Sequence, residues 1–149
     1  MRFLKIIRSV FVIRPWLLLG KYQDTFNLPQ LQAQSIGAML QFAEPVEQPG
    51  ITTLYLPLED GYPVPEDIFR QGLAFILTHY QQKNKVLISC GAGISRSVAF
   101  VVAALKETEQ MPLLEAYQTV LNVHSKALPH PAIWQSFYWR LLKQYNKKE

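Results

Sequence analysis

The chain contains a single cysteine, Cys90, among its 149 residues. One cysteine excludes an internal disulfide and a cysteine-rich metal site, and it can persist as a free thiol in a reducing cytoplasm. We therefore expect a cytoplasmic protein. The sequence also lacks internal repeats, low-complexity stretches and a Ser/Gly-rich linker. We expect one domain spanning residues 1–149, long enough to bury a core without disulfides or metals.

Long uninterrupted apolar runs are absent too. The first twenty residues are the most apolar segment near a terminus, but Arg8 and Arg14 divide them into short pieces and no small-residue cleavage site follows. This pattern fits neither a transmembrane helix nor a secretory signal. We expect no stable membrane insertion.

Basic residues are scarce in the body of the chain despite a net charge of +4. Between residues 22 and 142 there are seven cations and ten carboxylates, so that segment has a net charge of −3. The excess positive charge belongs to the ends, with basic tails at about 1–8 and 143–149. A nucleic-acid binder usually has a basic stripe through its body, so we expect no nucleic-acid partner.

Short apolar segments bounded by turn residues alternate with helical patterns. Strands are predicted at residues 9–13, 16–19, 37–42, 52–56 and 86–89. The last two are nearly all apolar, which predicts strands covered on both faces. Helices are predicted at 27–34, 65–82, 95–105, 112–123 and 132–145. This order predicts an α/β fold with a single central mixed, mostly parallel β-sheet flanked by helices.

The segment from Cys90 to Ser97 joins an apolar strand to an apolar helix through a loop with two glycines. Such a strand-to-helix loop can turn backbone N–H groups inward and form an anion nest at the positive end of a helix. Arg96 can grip two phosphate oxygens with its planar guanidinium. The predicted phosphate-binding positions are Gly91, Ala92, Gly93, Ile94, Ser95 and Arg96.

Cys90 lies at the base of this loop, where the positive field favours its thiolate. A thiolate facing a bound phosphate can attack in line and form a phosphocysteine intermediate. Ser97 can donate a hydrogen bond to the sulfur and help it leave in the second step. The competing interpretation, a buried structural cysteine, does not account for Gly93, Arg96 and Ser97 together.

The run Cys-Gly-Ala-Gly-Ile-Ser-Arg-Ser, residues 90–97, resembles the signature of the protein tyrosine phosphatase superfamily, and its second half resembles the dual-specificity branch. The likeness covers about residues 10–138. It implies a phosphatase-type strand–loop–helix site and a cysteine-dependent hydrolase of phosphotyrosine and phosphoserine/threonine in proteins. The family usually has His before the nucleophile, whereas this chain has Ser89, so we expect slower catalysis rather than none.

The resemblance also implies a general acid about thirty residues before the cysteine. The predicted strand 52–56 runs into a loop in which Asp60 stands among turn residues. Asp60 is therefore our candidate acid, and its competitors are Glu59, Glu66 and Asp67. The last two are typical of the first turn of a helix.

Two other functions stay open on the sequence alone. Ser89 is compatible with a low-turnover phosphate-binding module, in effect a pseudophosphatase, and a thiolate enzyme such as a sulfurtransferase or arsenate reductase is a more distant option. The loop positions 91–94 are uncharged, which disfavours polyphosphorylated lipids.

His79 is predicted at a helix surface or boundary, while His124 and His130 flank a connection that could border the pocket. Their spacing matches no metal motif, so we expect no metal and no cofactor, and the sequence does not indicate an oligomeric state.

Overall fold

The computed structural model describes residues 10–147, with side chains up to Leu141. The predicted N-terminal tail and Ser9 lie outside the described residues. A five-stranded sheet has the order β1-β2-β5-β3-β4. Its strands are β1 (Phe11–Arg14), β2 (Leu17–Lys21), β3 (Ile36–Gln41), β4 (Thr52–Tyr55) and β5 (Lys85–Cys90). Only the β1–β2 pair is antiparallel, which confirms the predicted mixed, mostly parallel sheet.

Five α-helices accompany the described sheet, and each predicted helix is present within a few residues. They are α1 (Leu28–Ala33), α2 (Glu66–Gln81), α3 (Arg96–Glu109), α4 (Leu113–Val123) and α5 (Pro131–Lys147). A 3-10 turn at Tyr22–Phe26, absent from the prediction, precedes α1. Helix α5 continues through Lys147, slightly beyond its predicted end at residue 145, and includes most of the predicted basic C-terminal tail.

The two faces of the sheet bury different sets of side chains because alternate residues of a strand point to opposite faces. On β5, Val86, Ile88 and Cys90 belong to the larger core cluster, and Leu87 belongs to the smaller one. Helix α3 supplies nine consecutive buried residues to this core region, from Ser97 to Leu105. Because Cys90 ends the central strand on the α3 side, its sulfur faces the start of that helix.

Two sequence expectations about exposure are wrong. The strand β4 is not covered on both faces, because it pairs only with β3 at the sheet edge and its residues are exposed or half-buried. His79 is buried rather than at a surface or boundary, with 7% of its surface exposed. Its ring packs against Phe75 and its Nδ1 lies 3.0 Å from the side-chain amide of Asn84. Burial lowers the pKa of His79.

Candidate active site

The Cys90 loop, defined here as residues 90–97, connects β5 to α3 beside the end of β2. Cys90 is paired with Lys21 in the parallel β2–β5 register, and 2% of its surface is exposed. The Sγ atom of Cys90 lies 3.0 Å from Oγ of Ser97, in the first turn of α3. The sulfur therefore contacts a hydroxyl rather than only apolar side chains, unlike a cysteine that merely fills the core.

Gly93 gives the loop its tight path past β2. Its φ is +70°, in the left-handed region that disfavours residues with a Cβ. A Cβ at this position would stand 2.8 Å from the carbonyl oxygen of Gly20. The loop can approach the strand this closely only with glycine at position 93.

Arg96 spans the distance from the Cys90 loop to the loop that follows β4. Its Nη1 donates a 2.7 Å hydrogen bond to the carbonyl oxygen of Leu58. Its Nε is buried and has no hydrogen-bond partner within the described part of the chain. The Leu58 contact fixes the guanidinium in position while leaving donors for an anion.

Asp60 reaches the Cys90 loop through Ser95. Ser95 Oγ donates to Asp60 Oδ1 at 2.5 Å and accepts from the backbone N–H of His130 at 2.8 Å. Among the competing carboxylates, Glu66 and Asp67 occupy the first turn of α2, and Glu66 pairs with Arg70 on the same helix. Glu59 is exposed. Of these four carboxylates, only Asp60 lines the cavity.

These groups surround one cavity of about 420 Å³. Its lining residues are Asp60, Cys90, Ala92, Ile94, Ser95, Arg96, Leu128, Pro129, His130 and Pro131. The structure thus brings together Cys90, Arg96 and Asp60, with Ser97 beside the sulfur. Ser95 was predicted to bind phosphate, but its hydroxyl donates a hydrogen bond to Asp60. Among the described residues no three His, Cys, Asp or Glu side chains cluster closely enough to hold a metal ion.

Sequence reasoning missed three contacts to this site. They are the Leu58 carbonyl on Arg96, the His130 amide on Ser95, and a 3.0 Å contact between His124 Nε2 and the carbonyl oxygen of Gly93. In the first two the missed partner is a backbone group, which carries no residue-specific signal. The position of His124 beside a connection expected to border the pocket was the available hint for the third.

The sheet order, the strand–loop–helix at Cys90 and the opposing Asp60 define a cysteine-based phosphatase domain of the protein tyrosine phosphatase superfamily. More narrowly, the sequence model for "Dual specificity phosphatase, catalytic domain" matches residues 17–148. The chain belongs to this family, which confirms the resemblance seen in residues 90–97.

Known relatives agree with this assignment. The chain is 28% identical over 131 residues to "Dual specificity protein phosphatase 19" of Mus musculus, covering 85% of this chain and 60% of that protein. It is 31% identical over 124 residues to "Dual specificity protein phosphatase 5" of Homo sapiens, covering 79% and 32%. The chain thus spans less than two thirds of the length of these curated relatives.

Solved structures show the same fold. The human tyrosine phosphatase-like serine/threonine/tyrosine-interacting protein superposes with a TM-score of 0.83 at 28% identity, covering 93% of this chain and 99% of that one. Human DUSP28 superposes with a TM-score of 0.81 at 23% identity, covering 93% and 97%.

Proposed function

We propose that this chain hydrolyses phosphomonoesters through a phosphocysteine intermediate, with phosphotyrosine and phosphoserine/threonine of proteins as substrates. One observation carries the proposal: a single cavity is lined by a buried cysteine, a half-buried guanidinium and a carboxylate. These are the nucleophile, the phosphate clamp and the proton donor that such a reaction needs. Membership of the dual specificity phosphatase family supports it.

The first step uses Cys90, Arg96 and Asp60. The Cys90 thiolate attacks phosphorus in line, the S–P bond forms and the P–O ester bond breaks. Asp60 donates its proton to the departing ester oxygen. Arg96 and inward-facing amides of the Cys90 loop hold the equatorial oxygens, where charge accumulates in the transition state.

The second step regenerates the free sulfur. Water attacks phosphorus, Asp60 takes its proton, and the S–P bond breaks to release inorganic phosphate. The hydroxyl of Ser97, 3.0 Å from Sγ, donates a hydrogen bond to the departing thiolate. A hydrogen bond to an ionised acceptor is stronger than one between neutral groups, so it favours this cleavage.

The uncharged residues of the Cys90 loop favour protein substrates. Gly91, Ala92, Gly93 and Ile94 carry no charge, so the loop offers no additional cation for a second phosphate group. The low-turnover binding alternative is not favoured, because a binding module requires neither a nucleophile beside Ser97 nor a carboxylate held at the same cavity.

The location we propose is the cytoplasm, where reducing conditions keep the lone cysteine as a thiol. None of the helices within residues 10–147 is long and apolar enough to cross a membrane. The net charge of −3 over residues 22–142 argues against nucleic acid as a partner.

Steady-state hydrolysis of p-nitrophenyl phosphate tests the activity. Wild-type protein should turn over, and Cys90→Ser should lose turnover to the background rate while still binding tungstate, an oxyanion that mimics phosphate. Turnover retained by Cys90→Ser would refute the role of Cys90 as the nucleophile. Tungstate binding without wild-type turnover would favour the binding module. A panel of phosphopeptides and phosphoinositides then tests the substrate class.

A further inference from the structure

Three carbonyl groups of the Cys90 loop are held by groups that lie outside it. The contacts are Tyr22 N–H to Gly91 O at 3.3 Å, His124 Nε2 to Gly93 O at 3.0 Å, and Leu128 N–H to Ile94 O at 2.9 Å. Two donors are backbone amides. The third is a side chain that the proposed chemistry does not use.

The direction of a held carbonyl fixes the direction of the next amide. In a trans peptide the C=O group and the following N–H group point in opposite directions. The peptide between Gly93 and Ile94 is trans, so the Ile94 N–H points away from His124. Ile94 itself lines the cavity. Holding the Gly93 carbonyl outward therefore aims the Ile94 amide toward a bound anion.

His124 is built into this position rather than lying loosely against the loop. It is 7% exposed, and its ring stacks on Phe11 with a centroid distance of 4.1 Å and an interplanar angle of 14°. A carbonyl oxygen can only accept a hydrogen bond, so Nε2 of His124 carries the hydrogen. The stack on β1 prevents the ring from turning this donor away.

We propose that His124 is a positioning residue for oxyanion binding: its Nε2–H holds the Gly93 carbonyl outward and thereby presents the Ile94 N–H to the phosphate. The inference rests on the proposed phosphatase function of the same cavity. Preorganised amides stabilise a developing anion without reorganisation, whereas an amide that must first rotate loses part of this benefit.

The test compares two His124 variants with a matched control. His124→Phe keeps a ring to stack on Phe11 but removes the donor, and His124→Gln returns an N–H at about the same reach. His79→Phe is the control, because His79 is equally buried, packs on a phenylalanine and has one side-chain hydrogen bond, yet that bond joins it to Asn84 rather than to the Cys90 loop.

Tungstate affinity, measured by calorimetry, is the first readout. The loss of one hydrogen bond predicts affinity about 3- to 10-fold weaker in His124→Phe, with a similar fall in kcat/KM for p-nitrophenyl phosphate. His124→Gln should recover most of this loss, and His79→Phe should stay within about twofold of wild type in affinity even where its melting temperature falls. Wild-type affinity in folded His124→Phe would overturn the proposal, as would a folded His124→Gln no better than His124→Phe.

The amide proton of Ile94 gives a second readout that needs no variant. Its NMR resonance should shift downfield when wild-type protein is saturated with tungstate, because the N–H would donate to the anion. An unshifted Ile94 amide at saturation would overturn the proposal. Wild-type protein that shows the shift but no turnover supports anion binding by the Ile94 amide, on which the role of His124 depends, and refutes the phosphatase activity, whereas protein that binds no tungstate refutes both.

Discussion

The hydroxyl of Ser95 joins the Cys90 loop to Asp60 through a 2.5 Å hydrogen bond. Because the same oxygen accepts from the His130 N–H, the proton of Ser95 is directed to Asp60 Oδ1. In the proposed mechanism the second carboxylate oxygen, Oδ2, would hold the proton for the leaving group. Ser95 would then position the acid without transferring the proton itself.

Removing this hydroxyl should weaken proton donation. Ser95→Ala is expected to lower kcat on phenyl phosphate about 3- to 10-fold, the effect of losing the hydrogen bond to Asp60, and to lower kcat on p-nitrophenyl phosphate less. Ser95→Thr should restore turnover because it keeps the hydroxyl. Ser125→Ala, at an exposed serine of the α4–α5 connection, is the control. Equal losses on both substrates would contradict a role through the acid.

Asp60→Asn should remove the proton donor itself. General acid catalysis contributes typically 10²–10⁴-fold, so kcat on phenyl phosphate should fall by about that factor. The fall on p-nitrophenyl phosphate should be smaller because its leaving group needs little protonation. Glu59→Gln, which changes the adjacent exposed carboxylate, should leave both rates unchanged. Comparable losses on the two esters would assign Asp60 to another role.

Arg96→Lys should disable oxyanion binding even though it preserves the charge. The lysine ammonium lacks the planar fork with which the guanidinium can hold the Leu58 carbonyl and two phosphate oxygens at the same time. We expect kcat/KM to fall about 100-fold or more, the typical effect of losing a transition-state donor. Arg70→Lys, in the exposed pair with Glu66, is the matched control. Near-normal kcat/KM would rule out two-oxygen binding by Arg96.

Alanine substitutions at two glycines distinguish the cost of backbone strain from the cost of a steric contact in the Cys90 loop. Gly50 has a φ of +76° and open space around its Cβ position, so Gly50→Ala should cost about 1 kcal/mol of unfolding free energy from the left-handed backbone alone. Gly93→Ala adds the contact with the Gly20 carbonyl and should cost more, with weaker tungstate binding. Urea unfolding measures the loss of unfolding free energy in both variants. Equal losses would mean that the loop shifts to accommodate the added Cβ at position 93.

The ion pair between Arg14 and Glu109 predicts a pH-dependent contribution to stability. Two hydrogen bonds of 2.7 and 2.8 Å join β1 to the last turn of α3, and the hydrogen bond from Arg14 lowers the pKa of Glu109. A carboxyl whose pKa is lowered on folding stabilises the protein above its unfolded pKa of about 4.3, and this contribution disappears as the pH falls further.

Glu109→Gln should therefore cost about 0.5 kcal/mol at pH 7, since both side chains are about a third exposed. Near pH 3 the variant and wild type should converge. Urea unfolding at the two pH values checks this, with the exposed Glu115→Gln as the control. A constant difference across the range would indicate that packing of the side chain, rather than its charge, is responsible.

What the sequence could predict was mostly local. Apolar runs located β2 and β5, and Pro65 with two acids marked the start of α2, because such signals depend on neighbours in the chain. The exposure of β4 depends on its place at the sheet edge, which follows from strand order. The buried environment of His79 likewise comes from tertiary packing.

The same distinction between local signals and tertiary packing applies to the residues of the candidate site. Cys90, Arg96 and Ser97 stand within one short segment, so their proximity could be read from spacing. The contact of His124 with Gly93 joins residues from distant parts of the chain through the packing of β1, α4 and the Cys90 loop. The expectation of slower catalysis from Ser89 considered only the residue beside the nucleophile, whereas the imidazole of His124 does contact this loop at the Gly93 carbonyl.

Leu128 shows how the rim and the floor of the cavity can change independently. Its backbone N–H holds the Ile94 carbonyl, but its side chain is 68% exposed at the cavity edge. A substitution at this position changes the side chain at the cavity entrance without removing the backbone N–H that holds Ile94. The shape and polarity of the entrance can therefore be varied while the geometry of the Cys90 loop is kept.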